Sequence, residues 1–185
     1  MRHGPHVFAM LIGLSLCSFA PAAEPVRSGL QPGERVTTIF EPLNVTGEFA
    51  GELHCLVCEN GPNPVAMIFA REISEPLTQL IAKLDAATGK HRDQQLGSFV
   101  VLLNDQADAS GKLQQIAKEK SLTYIVLSID DPKGPDGFNV AADADVTVVL
   151  YQDFDVKANH AFRNGELTEK AADKVVADLP KILAK

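Results

Sequence analysis

The stretch Leu53-His54-Cys55-Leu56-Val57-Cys58-Glu59-Asn60-Gly61-Pro62-Asn63-Pro64-Val65-Ala66-Met67-Ile68-Phe69-Ala70-Arg71 decides how the chain is read. Val65 to Ala70 is an unbroken apolar run of strand length, the pattern of a strand covered on both faces. Gly61, Pro62 and Pro64 just ahead of it oppose helix, and residues before proline are pushed toward extended backbone. The segment holding Cys55 and Cys58 is therefore expected to be irregular, with no helix start near either cysteine.

Working outward, the pattern downstream is regular. Ser74 suits an N-cap, with Glu75 in the first turn and Pro76 near the start. Leu77, Leu80, Ile81 and Leu84 follow at helical spacing, and Gly89 is expected to end that helix. Phe99 to Leu103 predicts the next buried strand. Asp108 or Ser110 can cap a short helix carrying Leu113, Ile116 and Ala117, and Tyr124 to Ile129 predicts a third strand. Beyond the polar loop Asp130–Gly137, Val146 to Tyr151 and Val156 to Phe162 read as two more. Asn164-Gly165 is a turn, and Thr168 caps a closing helix with Ala171, Ala172, Val175, Val176 and Leu179 on its apolar side. Upstream, Val36 to Phe40 predicts an edge strand cut by Pro42, and Phe49 to Leu53 a second short one. Residues 23–35, rich in Pro, Gly, Ser and charge, predict a flexible leader to a single domain over 36–185. Strands alternating with helices argue for a parallel core covered on both faces, to which the last β-β-α adds an antiparallel edge.

Composition bounds the function. The 185 residues, 45% hydrophobic and 22% charged, fit one domain with a real core. A net charge of -7 with no basic stripe argues against nucleic acid as a partner. Arg2, His3 and His6 precede an apolar run from Val7 to Phe19, and Ala20-Pro21-Ala22 supplies small residues for cleavage after Ala22 or Ala23. The apolar run falls short of the ~20 residues that span a bilayer. Residues 1–22 are thus expected to be a signal peptide, and the mature protein exported to the periplasm or the exterior with no transmembrane segment. Leu16 ahead of Cys17 is too large for a lipoprotein signal.

The element order, together with Leu30-Gln31-Pro32-Gly33-Glu34 and Phe40-Glu41-Pro42-Leu43-Asn44-Val45-Thr46-Gly47, resembles the peroxiredoxin and TlpA/ResA branch of the thioredoxin-like superfamily. The resemblance implies an α/β fold, a three-layer αβα sandwich with a mixed central sheet and short N-terminal strands. It also implies thiol–disulfide chemistry on a protein partner. The family's cysteine motif, after the first central strand, falls here on Glu72-Ile73-Ser74-Glu75-Pro76, which has no cysteine. The family's cis-proline falls near Asp145-Val146, which has no proline. The family's catalytic roles are therefore not carried over, and the Cys-x-x-Cys is displaced upstream.

On its own terms the pair admits three readings. A thiol nucleophile needs a depressed pKa from a helix N-terminus or a cation. Glu52 and Glu59 flank the pair and oppose this, while His54 is adjacent but would point to the other face of an extended strand. One reading is a disulfide that only pins the loop of a non-catalytic binding module, worth ~2 kcal/mol for so short a ring. The second is a redox pair, Cys55 and Cys58, exchanging with a protein thiol or disulfide, since tight rings are often reducible. The third is half of a zinc or copper site, with His54, His91 or His160 completing Cys55 and Cys58. No cofactor is otherwise expected. Arg71 and Glu72 form a polar patch where the family keeps its site. Glu75, Asp143 and Asp145 read as capping or solvated groups, and Asp130 to Asp136 lacks the alternating ligand spacing of a calcium loop. Neither a glycine-rich phosphate loop nor a supportable Ser-His-Asp set is present.

Overall fold

The computed structural model describes Met1 and residues 24–183. The expected signal segment, Met1 apart, lies outside the described residues. In chain order the elements are β1 (Leu43–Asn44), α1 (Leu56–Asn60), β2 (Val65–Ala70), α2 (Glu75–Lys90), β3 (Gly97–Leu103), α3 (Ala109–Glu119), β4 (Val126–Asp130), β5 (Val146–Gln152), β6 (Asp155–Phe162) and α4 (Glu169–Ala177). The strands form one six-stranded sheet in the order β1-β4-β3-β2-β5-β6. β2 pairs parallel with β3 and antiparallel with β5, and β3 pairs parallel with β4. β6 joins antiparallel beyond β5, and β1 antiparallel beyond β4. This is the mixed sheet flanked by helices that the sequence predicts.

Strand periodicity divides the core. Ala66, Ile68 and Ala70 of β2 face a cluster completed by Leu77, Leu80, Ile81 and Leu84 of α2, Leu113 and Ile116 of α3, and Ala172 and Val175 of α4. Val65, Met67 and Phe69 face the opposite cluster, with Phe99, Val149 and Tyr151. That second face is covered by Leu56 and Val57 of α1, by Leu30 and Val36, and by Phe138. Among the described residues helices lie on both faces, α2, α3 and α4 on one and the short α1 on the other.

Several expectations need correcting. Val36 to Phe40 is not a strand. Val36 donates its N–H to the Phe154 carbonyl and Glu34 accepts from Val156, so the chain touches the edge of β6 through a single bridge at Arg35 before turning inward. Phe49 to Leu53 is likewise a turn with one bridge, Leu53 to Leu43. The short N-terminal strand falls instead on Leu43–Asn44, the first residues beyond Pro42 that can join β4. The leader, expected to be flexible, is packed from about Val26 onward. Ser28 is 1% exposed, its Oγ 2.6 Å from Thr147 Oγ1 on β5 and accepting from the Ala141 N–H at 2.9 Å. Asn159 of β6 donates from Nδ2 to the carbonyls of both Ser28 and Leu30, each at 2.9 Å. Between them Gly29 takes φ +76, and a Cβ there would lie 2.6 Å from Thr147 Cγ2.

Ser74 caps α2 as expected, its Oγ accepting from the Leu77 N–H at 3.3 Å, and Thr168 caps α4 through the Ala171 N–H at 3.2 Å. Asp108 occupies the cap of α3 but turns its carboxylate to Lys112 at 2.8 Å. Gly89 does not end α2, which continues to Lys90. A Cβ on Gly89 would sit 2.4 Å from the Tyr124 ring, so this glycine serves close approach and not termination. The third core strand begins at Val126 and not at Tyr124 for a related reason. Asp85 Oδ1, on α2, accepts the N–H groups of Thr123, Tyr124 and Ile125 at 2.9, 2.7 and 2.9 Å, so these residues spend their donors on the helix.

Asp85 is 9% exposed and holds the α3–β4 connection through these three bonds. Asp85→Ala strands three backbone donors, and we expect a loss of about 2–4 kcal/mol in chemical denaturation. A change below about 0.5 kcal/mol would show that water replaces the carboxylate freely.

Candidate functional site

The cysteine pair lies at a helix start. Cys55 is the N-cap residue of α1, with extended backbone, and its sulfur is bonded to that of Cys58, the two Cα atoms 5.2 Å apart. The Cys58 N–H also points at Cys55 Sγ, at 3.0 Å. The expectation of irregular backbone away from any helix is therefore wrong. α1 comprises only Leu56–Asn60, too short to show a helical period, and ends where the breakers begin: Gly61 takes φ +55 at the C-cap and Pro62 follows. Asn60 Nδ2 bonds back to the Leu56 carbonyl at 2.7 Å, closing the turn.

The two sulfurs have different surroundings. Cys55 is 7% exposed and packs in the cluster with Leu56, Val57 and Val65, whereas Cys58 is exposed on the outer side of α1. The apolar side chains Leu56 and Val57 pull one side of the helix inward and leave Cys58 and Glu59 outside. His54 does not sit across a strand from the pair. Its ring stacks on Phe49 with centroids 3.6 Å apart, and its Nε2 lies 3.1 Å from Glu59 Oε2, off the line of a good hydrogen bond. The carboxylate expected to oppose a thiolate thus has a histidine facing it. Beside α1 a cleft of about 570 Å³ opens, with Thr46, Leu56, Glu59, Asn60, Arg92 and Tyr124 on its walls.

α1 sits at the N-terminal end of the parallel strands. Asn60 Oδ1 occupies the place a Cβ on Gly97, the first residue of β3, would need. The turn where the family resemblance puts its motif is at the other end of β2, about 20 Å away along the strand. There Arg71 is committed to the structure. Its guanidinium donates to the carbonyls of Pro132, Ala144 and Ala141 at 2.7, 3.1 and 3.1 Å, and its N–H to the Asp145 carbonyl at 2.9 Å. Burial, and after it the Glu72 carboxylate, pushes the Asp145 carboxyl above its usual range against the pull of Arg71. A cleft of about 530 Å³ adjoins this turn, lined by Arg71, Glu72, Ile73, Asn104, Lys112 and Glu119 among others. Glu75 lies 3.5 Å from Lys120, and Asp143 3.3 Å from Arg163.

The histidines expected to complete a metal site are not brought to the cysteines. His91 ends α2, its Nδ1 3.5 Å from Gln94 Nε2. His160 lies on β6 with its side chain 9% exposed and its Nε2 3.0 Å from Asp178 Oδ2. Among the described residues no group of three or more His, Cys, Asp or Glu is gathered closely enough to hold a metal ion. Sequence reasoning found the cysteines but missed both α1 and Phe49. The only local signal for α1 was the Gly61-Pro62 stop.

The chain is similar to a protein assigned as a disulfide isomerase from Bacteroides thetaiotaomicron, with 17% identity over 86% of this chain and 96% of that one, and a TM-score of 0.62. It is similar to the peroxidoxin BcpB of Mycobacterium tuberculosis, with 16% identity, 84% and 99% coverage and a TM-score of 0.60. The fold is thioredoxin-like. A thiol-disulfide oxidoreductase from Bacteroides fragilis matches as well, with 13% identity, 77% and 97% coverage and a TM-score of 0.53. No family model matches the sequence, and no curated protein matches it. At such identities the likeness establishes the thioredoxin-like scaffold alone.

Burial holds His160 below the usual imidazole range, outweighing the pull of Asp178, with Lys174 and Lys181 adding to the depression. The sign of the effect on stability follows. Below the ordinary histidine value of ~6.5 the unfolded chain takes up a proton that the folded one resists, so stability falls as the pH drops through that region. Denaturation midpoints at pH 7.5 and 5.5 should show a larger acid loss for the parent than for His160→Gln. Equal losses would mean that His160 ionises freely in the folded protein.

Proposed function

We propose that this protein is an exported thiol–disulfide exchange protein, in which Cys55 and Cys58 cycle between a disulfide and a dithiol against a protein partner. The observation that carries this reading is a disulfide at the N-cap of α1 with one of its two residues exposed to an incoming thiol. A bridge serving only to pin a loop gains nothing from exposure. The thioredoxin-like scaffold and the neighbours named for disulfide chemistry agree with it.

Export is inferred from the basic start, the apolar run and Ala20-Pro21-Ala22, which direct the chain to a periplasmic or extracellular space where a Cys-x-x-Cys can be oxidised. Among the described residues no helix is long and apolar enough to cross a membrane. Mass spectrometry of the protein recovered from the envelope or medium should find a chain starting at Ala23 or Glu24. A chain that keeps residues 1–22 would overturn the export assignment.

The exchange reading is tested by equilibrating the pair with glutathione buffers and following the thiols by quenched alkylation. The expected reduction potential lies between about −270 and −120 mV, the span of working dithiols. Dithiol oxidation or disulfide reduction with a model protein substrate should be lost in Cys55→Ser and in Cys58→Ser. A pair that stays oxidised below about −300 mV, with the variants losing only the ~2 kcal/mol of a short ring, would instead make the bridge structural.

A further inference from the structure

Resting on that exchange reading, we infer that the second cysteine of the pair, Cys58, is the sulfur that engages the partner, and that Cys55 is the internal resolving sulfur. The asymmetry comes from how α1 docks. Leu56 and Val57 are each 1% exposed and turn their side of the helix into the core, taking the N-cap Cys55 with them to 7% exposure. Cys58 and Glu59 are exposed on the opposite side. In thiol–disulfide exchange the rate follows access to the attacked sulfur and the stability of the departing thiolate. Access favours attack at Cys58 here.

A partner thiolate attacks Cys58 Sγ in line with the Sγ–Sγ bond. A new bond forms between the partner sulfur and Cys58, the intramolecular bond breaks, and its electron pair leaves on Cys55 Sγ as a thiolate. That thiolate keeps the Cys58 N–H, which already points at it from 3.0 Å. Burial works against an anion at Cys55, and this N–H is what offsets it. A second thiolate of the partner then attacks the partner's own sulfur in the mixed disulfide. It releases Cys58 as a thiolate and leaves the partner dithiol oxidised by two electrons. The reverse direction uses the same atoms: Cys58 thiolate opens a partner disulfide, and Cys55 thiolate attacks Cys58 Sγ to close the ring and expel the partner thiolate.

The test compares single-cysteine variants and the reduced parent. With 5,5′-dithiobis(2-nitrobenzoate) under native conditions, the free thiol of Cys55→Ser should react about 10-fold or more faster than that of Cys58→Ser, and the two rates should converge in guanidinium chloride. A brief iodoacetamide pulse on the reduced parent, read by tandem mass spectrometry, should label Cys58 before Cys55, and this arm does not depend on either variant folding. Faster or equal labelling of Cys55 in the parent overturns the assignment of the sulfurs while leaving exchange intact. Failure of the parent disulfide to open in any glutathione buffer removes the exchange reading itself, and the two failures are therefore distinct.

Discussion

Val65 to Ala70 has both edges hydrogen-bonded and both faces covered, and this enclosure orders the rest of the molecule. No residue of β2 is more than 1% exposed. Its backbone donors and acceptors are divided between β3 and β5, so a slip of one residue would exchange the two core faces at once. Ala66 and Ala70 are small on the face that α2, α3 and α4 cover, and Met67 and Phe69 are large on the face where, among the described residues, no long helix lies. The register that satisfies these sizes also sets what happens at each end of the strand. Five residues before Val65, Asn60 is wedged against Gly97, and α1 can dock in only one place.

The two core layers are built by different means. On the first, three helices present side chains at their own periodicity. On the second, Leu30, Val36, Phe138 and α1 arrive on mostly irregular backbone, so the bonds that hold them come largely from side chains. Ser28, Thr147 and Asn159 supply these across more than a hundred residues of chain. Phe40, Phe69 and Phe138 add a cluster in which Phe138 meets the other two edge-on, with centroids 5.0 and 5.6 Å away. The layer is not fully satisfied. The Tyr151 hydroxyl is buried without a hydrogen-bond partner among the described residues, and burial drives its pKa upward. The disulfide belongs to this second layer, where backbone geometry is set case by case.

That difference explains what could be read in advance. β2, β3, β5, α2 and α4 carry their own signal in apolar runs, helical spacing and the caps Ser74 and Thr168, and all of them formed where expected. Most of the errors share one cause: a residue whose partner is remote in sequence. Ser28 looks like linker until Thr147 and Asn159 are known. Gly89 looks like a helix stop until Tyr124 is placed above it. Tyr124 looks like strand until Asp85 claims its N–H. α1 failed for another reason, since five residues are fewer than two turns and the period needed to recognise a helix does not exist in them. The cysteines were visible as the candidate site, but their environments were not, because Cys55 and Cys58 are separated by the docking of Leu56 and Val57 and by nothing in their own spacing.

The position of the pair also has an electrostatic logic. A cysteine in the turn after β2 would stand among Glu72 and Asp145, where the pKa of Asp145 is already raised by burial and by its carboxylate neighbour. A thiolate there would meet the same repulsion. The one strong cation of that turn, Arg71, has its guanidinium bonded to the carbonyls of Pro132, Ala141 and Ala144, and moving it to serve a sulfur would release the loop they belong to. At the other end of β2 the surroundings differ. Glu59 has His54 beside it, the Cys58 N–H is aimed at a sulfur, and the helix that supplies that N–H is anchored by side chains the core requires in any case. The sulfurs are found at the end of β2 where a backbone N–H already meets one of them.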